Sequence, residues 1–285
     1  MKKKNLFVMA LLLMASMVAQ AGKIVTDSVS SQVLGATVKY NVYLPNGFEK
    51  GTKQYPVVYL LHGLTDDYTA WQEKGDMQAV ADELIESGEA CEMVIVMPCA
   101  GGPDVYGTWN GYFNMLGWNY EDFFFQEFMP AVEQKYRVIA DKQHRAVMGL
   151  SMGGGGSTVY GQRYPGLFSS VYAMSAWLDS DEGEQRQPGV DDKMFLLMNA
   201  VKERSALRFV EGADDATVER LRTVKWFFDC GDDDILFDQS VEIYRLMRAK
   251  RIKSELRIRN GRHSWEYWHQ SLRMALPFAS GNFGR

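Results

Sequence analysis

Residues 149–157 read "GLSMGGGGS", a serine, Ser151, set among five glycines. Ahead of it, "RAVMGL" (145–150) is a short apolar run of the kind that forms a buried strand. Behind it, a helical pattern runs from Gly153 to Tyr164. Ser151 therefore falls at a strand-to-helix junction, and Gly149-x-Ser151-x-Gly153 is the G-x-S-x-G elbow that lifts a serine hydroxyl clear of a sheet edge. So tight a turn leaves no room for a Cβ at the flanking positions, which explains glycine there. A helix N-terminus behind the serine favours negative charge developing beside it. A flexible linker would not follow an apolar strand directly. A phosphate-cradling loop would need a lysine after its last glycine, and none is present.

Outward from this point the chain alternates strand-like and helix-like stretches. Strand signals cover Val33 to Leu44, Tyr55 to Gly63, Met93 to Pro98, Phe168 to Ser175, Val224 to Gly231 and Glu255 to Gly261. Most are near-continuously apolar, as a sheet covered on both faces requires. Helical spacing covers Asp76 to Ser87, Tyr120 to Tyr136, Gln239 to Lys250 and Ser264 to Leu276. The alternation predicts an α/β fold, a mostly parallel, doubly wound sheet with helices on both faces. No repeat or linker divides residues 22–285, so they read as one domain. The long connection 176–223 breaks the rhythm, and its length predicts a lid or a pocket wall.

The first 21 residues read differently. Lys2, Lys3 and Lys4 precede an apolar run from Leu6 to Val18, and Ala19-Gln20-Ala21 has the small-x-small pattern of a cleavage site. This predicts a signal peptide and an exported protein, periplasmic or secreted, with no membrane attachment after cleavage. Losing those three lysines takes the net charge from −5 to −8. An acidic exported chain is a poor match for nucleic acid or anionic membrane. Three cysteines, Cys91, Cys99 and Cys230, cannot all pair within one chain and are expected to be free thiols.

A serine nucleophile needs a base. In the chain order that goes with this elbow, serine, acid, histidine, only His263 and His269 qualify. His263 follows Asn260-Gly261-Arg262, a turn after the last strand, where catalytic loops of open α/β sheets lie; His269 falls inside the next helix. His144 precedes a strand at the far end of the sheet and is set aside. The acid should follow the preceding strand, where "DCGDDDILF" offers Asp232, Asp233 and Asp234, and spacing alone does not choose among them. The run fails the calcium-loop pattern. Oxyanion donors are expected from the backbone N–H of Met152 and from the loop at Gly63 and Leu64, with His62 fixing that loop.

The stretches "YPVVYLLHGLTDDYTAW", "NYEDFFFQEFMPAVEQKY", "GLSMGGGG", "FFDCGDDDILF" and "GRHSWEYW" together resemble the esterase D-like branch of the α/β-hydrolases. That branch includes S-formylglutathione hydrolases and the feruloyl and acetyl-xylan esterases of carbohydrate esterase family 1. The resemblance implies the α/β-hydrolase fold. It places the acid at the fourth position of G-x-x-D, hence Asp234, and the oxyanion donors at Leu64 and Met152. It implies no cofactor and no metal. The export signal and the aromatic cluster "GTWNGYFNMLGW" (107–118) favour the carbohydrate-directed members. Trp109, Trp118, Trp177 and Trp265 are therefore candidate substrate-binding residues, because indole faces stack on sugar or cinnamoyl rings. The expectation is a serine esterase releasing ferulate or a related hydroxycinnamate from plant cell-wall polysaccharide or its feruloylated oligosaccharides. An acetyl-xylan esterase is the alternative, acting on acetylated chains, and an exported acyltransferase or a non-catalytic carbohydrate-binding protein lies further off.

Overall fold

The computed structural model describes residues 21–181 and 192–284. Residues 1–20 of the expected signal peptide, and 182–191 of the long connection, lie outside that range.

Eight strands form one sheet in the order β1-β2-β4-β3-β7-β8-β9-β10. They are β1 (Lys23–Ser31), β2 (Ala36–Leu44), β3 (Val57–Leu61), β4 (Val94–Pro98), β7 (Arg145–Leu150), β8 (Ser170–Met174), β9 (Lys225–Gly231) and β10 (Ser254–Arg259). A two-stranded hairpin, β5 (Asn114–Met115) and β6 (Trp118–Asn119), stands apart from it. From β4 to β10 every pairing in the main sheet is parallel, while β1/β2 and β2/β4 are antiparallel.

The apolar strands are continuous because both faces are covered. Val57, Tyr59 and Leu61 join one core while Val58 and Leu60 join the other; Val94 and Val96 alternate likewise with Ile95 and Met97. Helices α2 (Met77–Glu86) and α10 (Trp265–Asn282) cover the second face. On the first face lie α3 (Tyr120–Phe123), α4 (Met129–Lys135), α5 (Met152–Arg163) and α9 (Phe237–Ala249). A one-turn helix, α1 (Ala70–Glu73), carries the fully buried Trp71.

Three elements differ from the sequence reading. β1 was not anticipated, because "KIVTDSVSS" is polar and only half covered, as an edge strand can be. The helix expected over 120–136 is interrupted by a π-helical turn, Phe124–Phe128, just before Pro130. Proline lacks the N–H that would continue the α-helical ladder, and the wider turn takes up the mismatch. The described residues of the connection 176–223 are mostly helical and packed on the core. Its helices α6 (Lys193–Glu203), α7 (Ala206–Glu211) and α8 (Asp215–Leu221) bury Leu197, Val201, Val210, Val218 and Leu221 in the core.

Candidate active site

Ser151 sits between β7 and α5 with φ 53° and ψ −117°, a strained backbone for a side chain larger than glycine. Three hydrogen bonds hold it there. Its N–H donates to Met174 O at 2.9 Å, and its carbonyl accepts from the N–H groups of Gly155 and Trp177, each at 3.0 Å. A Cβ on Gly149 would lie 2.6 Å from the Gly153 backbone, and one on Gly153 would lie 2.5 Å from His62 O. Both approaches are forbidden, so the elbow closes only with glycine on either side.

The structure brings the predicted residues together. Ser151 Oγ lies 3.0 Å from His263 Nε2, and His263 Nδ1 lies 3.0 Å from each carboxylate oxygen of Asp234. Asp234 is 5% exposed. Burial works to raise its pKa, but the donors His263, the Leu236 N–H at 2.8 Å and Ser175 outweigh it and hold the carboxyl below its usual range. It is thus an anion, so Nδ1 carries the imidazole proton and Nε2 offers its lone pair to the serine hydroxyl.

The loops carrying acid and base are tied together. Asp232 N–H donates to Arg259 O at 3.0 Å, Asp233 N–H to Gly261 O at 2.9 Å, and Gly261 N–H to Asp232 Oδ1 at 2.9 Å. Asp232 therefore shapes the turn before His263. Beneath the loops, Asp229 is fully buried and accepts from Tyr267 Oη (2.6 Å), Tyr172 Oη (2.8 Å) and Arg259 (3.0 Å). Ser175 Oγ accepts from Trp268 Nε1 at 3.0 Å, and the Trp268 ring stands edge-on to His263 at 4.8 Å.

Leu64 lines the same cavity as Ser151, while Met152 opens α5, where first-turn N–H groups lack partners within the helix. The fully buried His62 ties the Leu64 loop to the sheet. Its Nε2 accepts from Ala100 N–H at 2.9 Å, so the proton is on Nδ1, which donates to Gly63 O at 2.8 Å. Burial depresses its pKa and keeps the ring neutral. Tyr112 Oη donates to His62 O (3.0 Å) and Trp71 Nε1 to Leu61 O (3.1 Å), fixing the same loop.

Ser151 and His263 open into a cavity of about 650 Å³ walled by Leu64, Trp177, Ile235, Leu236, Trp265 and Trp268. Of the four tryptophans expected at the site, Trp177 and Trp265 are there. Trp109 and Trp118 are not: the β5–β6 hairpin folds Trp118 back onto Trp109, and both line a separate cavity. Among the described residues of 176–223, Trp177 is the one that reaches this wall. The sequence reading missed Trp268, although its i+3 spacing from Trp265 on a helix placed both on one face. It also missed Ile235, an apolar residue on an acidic loop that stands 83% exposed at the mouth. Asp66, buried in the same wall and paired to Lys74 at 2.6 Å, gave no sequence signal.

Among the described residues no group of His, Cys, Asp or Glu could hold a metal ion, and no helix is long and apolar enough to cross a membrane. All three cysteines are free.

The sequence profile of the family described as "Putative esterase" matches residues 31–279. The chain belongs to that esterase family. This esterase is similar to a solved ferulic acid esterase, at 49% identity and a TM-score of 0.89, covering 93% of this chain and 99% of that one. A CE1 ferulic acid esterase from Anaeromyces mucronatus, in complex with ferulic acid, shares the fold at 23% identity. Its TM-score is 0.71, with 94% of each chain covered. The endo-1,4-beta-xylanase/feruloyl esterase of Xylanibacter ruminicola is 33% identical over 147 residues, 48% of this chain and 19% of the relative. That match spans about a fifth of the relative's length. The fold is that of the α/β-hydrolases, and the protein is a carboxylic ester hydrolase.

Proposed function

We propose that this esterase, exported by its N-terminal segment, releases ferulate or a related hydroxycinnamate from ester links to plant cell-wall polysaccharide, through an acyl-enzyme on Ser151. The observation that carries the reading is a hydrogen-bonded Ser151–His263–Asp234 row opening into a cavity with three indole walls.

Ser151 Oγ attacks the ester carbonyl while His263 Nε2 takes its proton; Asp234 holds the imidazolium that forms. The N–H groups of Leu64 and Met152 hold the oxyanion. His263 then gives the proton to the departing sugar oxygen, and the acyl group stays on Ser151. Water, deprotonated by His263, attacks the acyl-enzyme, and the acid leaves as Ser151 recovers its proton. The aromatic ring of the acyl group lies against Trp177, Trp265 and Trp268, where area burial and ring contacts hold it. A cavity of about 650 Å³ is far larger than an acetyl group requires, which favours the hydroxycinnamoyl reading over acetyl.

The test is hydrolysis of methyl ferulate, 4-nitrophenyl acetate and acetylated xylan by residues 22–285, beside a Ser151→Ala control. Ferulate release abolished in the control supports the reading. Acetyl release without ferulate moves the function to a carbohydrate acetyl esterase, and no hydrolysis at all overturns the mechanism.

A further inference from the structure

Trp109 and Trp118 are conspicuous for where they are not. Their rings lie nearly parallel, 7° apart with centroids at 6.1 Å, and both are half-buried where the core aromatics are fully buried. They wall a cavity of about 530 Å³ together with Thr37, Lys39, Tyr68 and Thr108. Lys193 Nζ stands 4.8 Å from the Trp109 ring centre. Among the described lining residues the charged ones are Lys39 and Lys193.

The wall is also unusual in its polar accounting. Of its lining groups, Trp118 Nε1 is buried and pairs with no protein atom among the described residues. Two half-buried indoles on one wall suit a ligand that presents C–H faces.

The position links this cavity to the ester site. Tyr68 lies two residues beyond Asp66, which lines the Ser151 cavity, and Cys99 and Gly101 follow β4, the neighbour of β3. Both cavities thus open at the carboxyl end of the parallel strands, where such sheets bind ligands.

We propose that the Trp109–Trp118 cavity is a sugar subsite that holds the xylose backbone of the polysaccharide while its ester-bearing branch reaches Ser151. The proposal rests on the polysaccharide reading of the enzyme given above. Stacking against two indoles supplies affinity, and the subsite touches no atom of the reacting ester.

Three measurements test it on Trp118→Ala and on Thr37→Trp, the latter filling the cavity from an exposed strand position without disturbing the indole pair. Calorimetric titration with unesterified xylohexaose should show binding to the native enzyme that both variants lose. KM for feruloylated arabinoxylan oligosaccharide should rise about tenfold, worth one stacked ring, with kcat unchanged. Hydrolysis of methyl ferulate, which has no sugar, should stay within about twofold of native. If Trp118→Ala fails to fold, Thr37→Trp carries the test. No xylohexaose binding to the native enzyme, or native KM on the oligosaccharide in Thr37→Trp, overturns the proposal. Loss of methyl ferulate hydrolysis in a well-folded Thr37→Trp enzyme would place the cavity in the ester site and overturn it as well. Failure of the native enzyme on methyl ferulate would instead sink the hydroxycinnamate reading; the titration would still decide whether the subsite binds sugar.

Discussion

Replacing Asp234 with Asn removes one charge and almost no volume. In the native site each Asp234 oxygen is 3.0 Å from His263 Nδ1, and the Leu236 N–H pins Oδ1. With Asn, that pinned oxygen can still accept from Nδ1, so the ring need not leave its place. What disappears is the anion facing the imidazolium of the transition state. At an effective dielectric constant of about 20, a charge pair 3.0 Å apart is worth about 5.5 kcal/mol, or about 10⁴-fold in rate. His263 is 23% exposed, and partial screening by solvent brings the expected loss in kcat to about 10³–10⁴-fold, with KM for methyl ferulate little changed. Steady-state kinetics beside Asp232→Asn and Asp233→Asn make the comparison. Asp232→Asn keeps the oxygen that Gly261 N–H needs and should lose less than about tenfold. A loss under about tenfold in Asp234→Asn, with a larger one in either neighbour, would refute the assignment of the acid.

Other consequences follow from the same geometry. Trp177→Ala or Trp265→Ala should raise KM for methyl ferulate about tenfold while leaving 4-nitrophenyl acetate within about threefold, read from parallel steady-state assays. Equal effects on both substrates would mean that the indoles do not meet the acyl ring. Asp229→Asn strips the buried anion from Arg259, Tyr172 and Tyr267 and should cost about 3–5 kcal/mol, lowering Tm by roughly 10 °C in scanning calorimetry. A shift below about 2 °C would show the network to be dispensable. The depressed pKa of His62 means that the unfolded chain takes up its proton first as pH falls below about 6.5. Stability should then decline from pH 7 to 5.5 by at most ~1.4 kcal/mol per pH unit from this group. Urea unfolding of the native enzyme and His62→Gln should show that slope in the first and a flatter one in the second; parallel slopes would remove His62 as the cause.

The parts of this molecule that the sequence declared are those where one physical demand acted alone. Strands such as Arg145–Leu150 are buried on both faces, so their apolar runs were unambiguous. The elbow was legible because no other residue but glycine fits at 149 and 153. Asp234 was not separable by spacing from Asp232 and Asp233; what separates them is which carboxyl turns toward His263 and which toward the Gly261 turn. The tryptophans were harder. An indole at a strand end can face a site or a neighbouring indole with the same sequence signal, and only the hairpin at 114–119 decides for Trp109 and Trp118. β1 was hidden because its nine residues satisfy an edge rather than a core.

β10 has a neighbour on one side alone, and its side chains alternate between half-covered and open. The nucleophile hangs from the centre of the sheet, but the base hangs from this border, on a turn that follows Arg259. Borders loosen at smaller free energies than centres. Warming should therefore detach His263 from Ser151 while the remaining strands stay paired, so that this enzyme falls silent some degrees below its melting point and recovers on cooling. Its working temperature would be set by one strand's grip on the sheet, and a substitution that tightened the β9–β10 seam would raise the ceiling on catalysis without touching a residue that meets the substrate.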